Sequence, residues 1–236
     1  MNRLTRFLFL LLCLGLLTAC YPDQKRQQLD QLPQHVMRVQ SALETYEKQR
    51  NILPFQYREN ETMLTTHYLV DFKEIGPILG EIPPSAFENG GYFYYVIVNT
   101  GEKPTVRLLD LRIQDRVKKI EPYVKTQLEK KGKLPSIDQI TNHIFSIDYE
   151  KLGTKEVWVE SPYTPGEKLP LVMDQSGNVY VDYRNEVMRK MQESKKPPQA
   201  DQDLREWLAL EDLFAPSYSP PMKIVNQEPV FVELEE

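Results

Sequence analysis

Apolar residues recur at intervals of three and four in three parts of the chain. This spacing puts them on one face of a helix, so the sequence predicts three amphipathic helices. Pro33 is compatible with the first turn of the first helix, and Pro122 predicts a kink in the second helix or marks its true start. The three apolar stripes run from Leu29 to Tyr46, from Ile113 to Leu128 and from Val187 to Met191.

Two segments of the chain resemble each other, which predicts an internal duplication. Residues 68–76 align without gaps on residues 145–153, and an apolar stripe ending in Leu-Pro precedes each of them. Downstream, each copy has an apolar strand, a glycine turn and a further strand, which ends in Leu-Asp-Leu-Arg at 109–112 and in Val-Asp-Tyr-Arg at 181–184. A helix that covers the apolar face of an antiparallel meander accounts for this order. The sequence therefore predicts an α+β protein with two tandem helix–meander units.

The first twenty residues have the composition of an export signal. Arg3 and Arg6 precede an unbroken apolar run from Phe7 to Leu17, and small residues and a cysteine follow. The run is too short for a transmembrane helix, which needs roughly 20 apolar residues. The sequence Leu17-Thr18-Ala19-Cys20 resembles the lipobox of bacterial lipoproteins. An ordinary secretion signal that ends in cysteine is the alternative.

The lipobox resemblance implies cleavage before Cys20 and attachment of diacylglycerol to its sulfur. The protein would then be held on the extracytoplasmic face of the bacterial cell membrane, because two acyl chains give stable anchoring. The only other cysteine of the chain, Cys13, would leave with the signal peptide. The mature chain would have no thiol for a disulfide, a thiolate metal site or a nucleophile.

The predicted boundaries divide the chain into five parts. They are a signal peptide at 1–19, a tether at 20–34, a first helix–meander unit at 35–112, a second unit at 113–194, and a linker, amphipathic helix and extended tail at 195–236. The last helix is expected to carry Leu204, Trp207, Leu208 and Phe214 on one side. The tail contains an apolar stretch, Val230–Val232, that can add to the edge of a sheet.

The charge balance argues against one class of partner. The chain has a net charge of −5, and loss of Arg3 and Arg6 with the signal peptide makes the mature chain more acidic. Such a surface repels phosphate backbones, and no long basic run compensates, so we expect no nucleic-acid binding.

Three aromatic side chains are candidates for contact with a partner or ligand. The run from Tyr92 to Tyr95 is expected on a strand, where alternation puts Tyr92 and Tyr94 on the same face. Exposed aromatic rings stack on sugars or anchor protein partners, whereas a buried sheet is the alternative. Trp207 presents a similar choice between docking on its own domain and being offered to a partner.

The duplicated carboxylates are the strongest candidates for catalysis. Asp71 and Asp148 are equivalent in the two copies, as are Asp110 and Asp182. A glycosidase acting on cell wall needs two carboxyl groups roughly 5 to 9 Å apart. Aspartates at strand ends and turns more commonly bond to the local backbone, and we expect that role here.

The histidines do not form a recognisable metal motif. His35, His67 and His143 are far apart or unsuitably spaced, whereas a metal site needs three or four converging ligands. Sequence motifs for a serine nucleophile or a phosphate-binding loop are missing as well. We therefore expect no metal, no cofactor and no catalytic residues.

Two stretches carry a resemblance to a known group of proteins. Residues 69–76, LVDFKEIG, and residues 92–104, YFYYVIVNTGEKP, resemble the uncharacterised YphF-like lipoproteins of spore-forming Firmicutes. The similarity covers most of the mature chain, and it implies membrane attachment without implying an activity. Relatives have been labelled as binding components of ABC importers, which implies a solute cleft between two lobes. The predicted helix–meander units lack the strand–helix alternation of such lobes.

The sequence thus predicts a membrane-anchored extracytoplasmic lipoprotein that is a non-enzymatic binding or scaffolding protein of the cell envelope. An envelope protein is the expected partner. A solute-binding component of an ABC-type importer and a cell-wall-active hydrolase are the alternatives. A deep cleft between the units would favour the first alternative, and two carboxyls facing each other across a groove would favour the second.

Overall fold

The computed structural model describes residues 29–57, 68–99, 101 and 103–233. The predicted signal peptide, the lipobox with Cys20, the first part of the tether and His67 lie outside the described residues. The helices are α1 (Leu32–Arg50), α2 (Phe72–Leu79), α3 (Leu111–Lys131), α4 (Tyr149–Leu152), α5 (Arg184–Glu193) and α6 (Leu204–Glu211). The strands are β1 (Phe55–Tyr57), β2 (Tyr68–Val70), β3 (Phe93–Val98), β4 (Thr105–Asp110), β5 (Ser136–Gln139), β6 (Ile144–Ile147), β7 (Trp158–Glu160), β8 (Lys168–Asp174), β9 (Val179–Val181), β10 (Met222–Val225) and β11 (Glu228–Phe231).

Separate antiparallel sheets and covering helices make this an α+β fold, as predicted. Sheet 1 has the strand order β1-β2-β3-β4, and sheet 2 has the order β5-β6-β8-β7 with β9 also paired to β8. The strands β10 and β11 form a hairpin of their own.

The predicted duplication is visible in the order of the elements. Each unit has a long helix, a first strand pair, a short helix and a second strand pair, and the second unit adds β7. The buried positions of α1 and α3 correspond at one constant shift along the sequence. The corresponding pairs are Leu32 and Ile113, Val36 and Val117, Val39 and Ile120, and Leu43 and Val124. Both helices therefore cover their sheets with the same stripe.

The long helices differ in detail from their predicted bounds. α1 begins at Leu32, within the range predicted as tether, and has a proline in its first turn. It ends at Arg50, and the positive φ of 58° at the next residue, Asn51, lets the Asn51 N–H close the last turn on Glu47 O. Pro122 does not mark the start of α3, because that helix runs through it from Leu111 to Lys131.

Three apolar clusters hold the fold together. α1 and α2 pack on one face of sheet 1, where Leu43 and Ile75 are completely buried. The other face of sheet 1 packs against Ala209 of α6 and Ala215. Around sheet 2, α3 and α5 share a cluster with α6 and the β10–β11 hairpin. The C-terminal part therefore belongs to the cores of both units.

The C-terminal segment pairs with the sheets differently from the prediction. Val230 does not extend a sheet edge, because it pairs with Lys223 inside the β10–β11 hairpin. Residues 213–215 instead run parallel to β4: Leu108 N–H donates to Leu213 O (3.1 Å), and Ala215 N–H donates to Leu108 O (2.9 Å). A few residues later, Tyr218 O accepts the N–H of Val181 in β9 (2.7 Å). Residues 213–218, here called the clasp, thus bond to both sheets.

None of the helices in the described ranges combines the length and the apolar composition that crossing a bilayer requires.

Candidate functional site

A groove separates α3 from the segment that joins α4 to β7. The cavity between these walls measures about 490 Å³, a size typical of ligand pockets. We call it the α3 groove. Its lining residues are Arg116, Lys119, Ile120, Tyr123, Thr154, Lys155, Glu156, Val157 and Trp158.

Cations dominate the charge of the α3 groove. Arg116 and Lys119 are exposed on α3, and Lys155 is exposed on the opposite wall beside the single anion, Glu156. Within the part of the chain that the structure describes, none of these three cations forms a salt bridge. The groove is therefore locally positive, although the chain as a whole carries a net charge of −5.

The helical wall holds its side chains in a row. Arg116, Lys119 and Tyr123 follow the three- and four-residue spacing of one helix face and span roughly 10 Å along the axis. Val117 and Val124 are completely buried in the core of the second unit, which fixes the rotation of the helix. The row therefore faces the groove on a rigid support.

Two aromatic rings are exposed in the α3 groove. Tyr123 is 54% exposed and Trp158 is 39% exposed. Trp158 points outward from β7 because its neighbour Val159 is buried on the inner side of the strand. The Lys168 ammonium lies 3.8 Å from the centre of the Trp158 ring, a cation–π contact that orients the ring.

The second wall is shaped by the early end of α4. Gly153 ends that helix with a φ of 66°, and the chain then turns to run opposite α3. The Tyr149 hydroxyl donates to Val157 O (2.8 Å) and holds the wall in place. Burial raises the pKa of Tyr149 to about 12, so the hydroxyl keeps its proton at neutral pH.

The first unit has a groove in the equivalent place, with different chemistry. It measures about 570 Å³ and is lined largely by apolar groups, among them Met37, Ala42, Ile78 and Leu79. Its Arg38 is not free, because the guanidinium donates to Glu81 O (2.9 Å). By the shift that aligns the buried stripes, Arg38 and Ala42 stand where the second unit has Lys119 and Tyr123.

The structure separates the three aromatic residues that the sequence singled out. Tyr92 is 60% exposed just before β3, with the Arg112 guanidinium 6.0 Å from the centre of its ring. Tyr94 is half-buried, and its ring packs against Phe87 at a centroid distance of 5.0 Å. Neither residue lines the α3 groove.

Trp207 is part of the core and not a surface contact. It is 4% exposed in the cluster around sheet 2, and its indole N–H donates to Lys196 O (3.3 Å). Of the two roles considered for this residue, its burial favours docking on its own domain.

The first pair of duplicated aspartates caps the short helices. Asp71 Oδ1 accepts the N–H groups of Lys73 and Glu74 at the start of α2 (2.9 and 3.4 Å). Asp148 accepts the N–H of Lys151 at the start of α4 (3.0 Å). The ammonium of Lys151, together with this backbone bond, holds the pKa of Asp148 below its ordinary range.

The second pair of duplicated aspartates begins the helices α3 and α5. Asp110 accepts the N–H of Arg112 (3.0 Å) and its guanidinium Nε–H (2.8 Å), and Asp182 makes the same two bonds to Arg184 (3.0 Å each). The sequence comparison missed a third case at the start of α6. There Asp203 accepts the N–H of Arg205 (2.9 Å) and its Nε–H (3.1 Å). These bonds fix helix starts.

The two histidines that the structure describes are engaged in local bonds. His35 Nδ1 lies 2.9 Å from Ser85 Oγ, which is also hydrogen-bonded to the Tyr95 hydroxyl (2.7 Å). These two hydrogen bonds through Ser85 connect α1 to the loop before β3. His143 contacts Glu233 near the end of the described chain. Among the described residues, no three His, Cys, Asp or Glu side chains are grouped to hold a metal ion.

The residues of the α3 groove carried little signal in the sequence. The row from Arg116 to Tyr123 lies beside the buried stripe of α3 and has the same helical period, so it was detectable on one helix. Its partners at 154–158 are more than thirty positions away, and only the fold brings them opposite the helix.

A comparison with known protein families gives a match to the first unit. Residues 32–110 match the model of the YphF family N-terminal domain, which supports the resemblance seen in the sequence. The match extends from the start of α1 to the end of β4 and covers about a third of the chain. Neither the curated proteins nor the solved structures gave a match to the chain. The α3 groove thus lies outside the matched residues.

Proposed function

We propose that this protein is a lipid-anchored, extracytoplasmic and non-enzymatic binding protein of the cell envelope, and that the α3 groove is its binding site. One observation carries the binding role: three cations that form no salt bridge with any described residue and two exposed aromatic rings line the same groove. Arg, Tyr and Trp are the side chains most often found at the energetic centres of interfaces.

The N-terminal sequence supports the location. The basic start, the short apolar run and Leu17-Thr18-Ala19-Cys20 together are typical of a lipoprotein precursor. The chain between Cys20 and the start of α1 at Leu32 can span at most roughly 40 Å, so the folded part would stay close to the membrane surface.

The duplicated aspartates favour a binding role over hydrolysis. All four carboxylates accept backbone N–H bonds at helix starts, and each also contacts a neighbouring cation or side-chain amide. A general acid or nucleophile must instead face a substrate. These four carboxylates are engaged in bonds that stabilise the fold.

The clasp also bears on the solute-importer alternative. An importer's binding protein holds its solute in a cleft between two lobes. Here residues 213–218 bond to β4 of one sheet and to β9 of the other, so backbone occupies this junction between the units. The groove on the outer side of α3 is the more suitable binding site.

The location can be tested with a matched pair of cysteine variants in cells of the native host. Cys20→Ala removes the lipid acceptor, whereas Cys13→Ala changes the other cysteine and leaves the lipobox intact. We expect Cys20→Ala protein to leave the membrane fraction, and Cys13→Ala protein to stay in it. Quantitative sedimentation of Cys20→Ala protein with membranes would contradict lipid anchoring.

The binding role can be tested by photo-crosslinking in intact cells. A photoreactive residue at Tyr123 lies in the α3 groove, and one at Lys130 is exposed on the same helix but outside it. We expect a discrete crosslinked product from position 123 that does not form from position 130. Equal labelling from both positions would contradict a site in this groove.

A further inference from the structure

The chemistry of the α3 groove indicates what kind of partner it takes. We propose that it binds an extended, acidic segment of a partner protein that also carries aromatic or apolar side chains. The inference rests on the proposed binding function and goes beyond it by naming the ligand class.

Charge complementarity is the first argument. Arg116 and Lys119 lie on one wall and Lys155 on the other, so an anionic chain between the walls would meet cations on both sides. The row on α3 extends over roughly 10 Å, which matches about three residues of an extended chain. Arg116 and Lys119 lie toward one end of the row and Tyr123 lies at the other, so a ligand needs both acids and an apolar side chain to use its whole length.

The aromatic rings are the second argument. Tyr123 and Trp158 offer exposed faces with little conformational freedom, because one stands on a helix and the other on a strand. The Lys168 ammonium covers part of the Trp158 ring, so the rings and the cations form one mixed surface. A purely anionic ligand would leave the rings unused, whereas a segment with apolar side chains between its acids would contact both.

The adjacent strand is the third argument, and it favours a polypeptide over an anionic wall polymer. Within the described residues, β7 is at the edge of its sheet and pairs with β8 alone. Its residue Trp158 is also a wall of the groove. An extended segment that enters the groove can bond to this edge through its backbone, which a phosphodiester-linked glycan cannot do.

The comparison with the first unit shows that the scaffold does not require this chemistry. In the equivalent groove, Arg38 is bonded to Glu81 O, and Ala42 takes the place of Tyr123. Both helices nevertheless bury the same stripe. The cations and exposed rings of this groove therefore distinguish the second unit from the first, and the framework that the units share does not depend on them.

The experiment uses the full-length protein, purified in non-ionic detergent, and three polymers as probes. A glutamate–tyrosine copolymer supplies many arrangements of acids and rings on a polypeptide, poly-L-glutamate supplies charge alone, and poly(glycerol phosphate) supplies charge on a different backbone. Binding is followed by calorimetry and by tryptophan fluorescence. Trp158 is half-exposed and Trp207 is buried, so a change in emission reports on the groove.

We expect the copolymer to bind most tightly and its affinity to fall as salt is added. Arg116→Ala with Lys119→Ala should weaken binding roughly tenfold, and Tyr123→Ala several-fold. The matched control, Lys118→Ala with Lys130→Ala, removes the same charge from exposed positions of α3 outside the groove and should leave the affinity unchanged. Circular dichroism of each variant would confirm that the fold is intact.

Two results would overturn the proposal. One is failure of the copolymer to bind, or binding no tighter than that of poly(glycerol phosphate). The other is an equal loss of affinity in the groove pair and in the control pair. These outcomes do not depend on the Cys20 variants, so an incorrect ligand class and an incorrect location would be told apart.

Discussion

The two units of this protein share a scaffold. Their short helices differ in length, and their grooves differ in the side chains that they expose. In the first unit, α2 has eight residues and buries Phe72 and Ile75 against α1. In the second unit, the equivalent α4 has four residues and stops at Gly153. The residues that follow this early helix end form the outer wall of the α3 groove. The first unit keeps an equivalent groove of about 570 Å³ lined largely by apolar groups, so the two units differ in the chemistry of this groove and not in its presence.

The same comparison holds for single positions on the long helices. His35 of α1 and Arg116 of α3 occupy equivalent positions by the shift that aligns the buried stripes. His35 bonds to Ser85 within its unit, whereas Arg116 faces the groove and has no ion-pair partner among the residues that the structure describes. The four paired positions of the buried stripe are apolar in both copies, whereas other equivalent positions differ, as Ala42 and Tyr123 do.

The largest expected effect comes from a substitution in α6, the helix that packs in the cores of both units. Leu208 of α6 is fully buried in the cluster around sheet 2, next to Ala209 on sheet 1. Leu208→Ala should lower the free energy of unfolding by about 3 kcal/mol because it leaves a cavity. Urea denaturation measures the loss. Hydrogen exchange should then accelerate in β3 and β4 as well as in β8, and acceleration in the second unit alone would show that the copies unfold independently.

A matched pair of core substitutions compares the two helices directly. Val36 and Val117 are the same residue at equivalent positions, and both are buried. Replacing either by alanine removes two methyl groups, so each variant should lose about 2 kcal/mol in the free energy of unfolding. Denaturation of the two variants under the same conditions checks this. A loss confined to one variant would mean that the two helices do not stabilise their sheets equally.

The aspartates that begin α3 and α5 provide a third, smaller comparison. Asp110→Ala removes the N-cap of α3, and Asp182→Ala removes the acceptor for the first backbone N–H of α5. Each change also leaves the guanidinium of the arginine two positions later without its carboxylate. We expect each to cost about 1 to 2 kcal/mol. Asp115→Ala is the control, because Asp115 is exposed on α3 and is not a cap. If replacing Asp110 or Asp182 lowers the free energy of unfolding no more than replacing Asp115 does, the duplicated motif has another role.

The smallest expected effect is a pH dependence confined to the first unit. Burial, and then nearby Arg38, lower the pKa of His35 below its ordinary value of 6.5. The unfolded chain therefore binds the proton more readily, and the free energy of unfolding falls as the pH drops below 6.5 toward the folded pKa.

His35→Gln should remove this part of the pH dependence. Urea midpoints at about pH 7.5 and about pH 5.5 would measure a difference of a fraction of a kcal/mol. His143→Gln is the comparison in the second unit. An unchanged slope in His35→Gln would mean that other groups account for the pH dependence.

The sequence was sufficient for the features that depend on local pattern. The stripes of α1 and α3, the duplicated Asp71 and Asp148 and the α+β class all follow from residue spacing. The expected role of these aspartates in local backbone bonds was confirmed. Even the bounds of α1 were close, because Pro33 and Asn51 are typical of helix ends.

The features that depend on distant parts of the chain could not be predicted in the same way. Trp207 was ambiguous because an amphipathic helix has an apolar side whether it packs on its own domain or on a partner. Val230 has strand propensity, and its hairpin partner Lys223 lies nearby in the sequence. The pairing of Leu213 and Ala215 with Leu108, by contrast, joins residues about a hundred positions apart. No local signal marks such a contact.

The clasp has a consequence for the order in which the protein can mature. Ribosomes build a polypeptide from its amino end, so residues 213–218 are made after all the strands of sheets 1 and 2. Until they arrive, Leu108 and Val181 keep main-chain hydrogen-bonding groups unmatched, and a truncated product would present these strand edges to other chains or to proteases. Both sheets therefore depend on residues 213–218 for closure, and a chain that stops before them cannot complete either sheet.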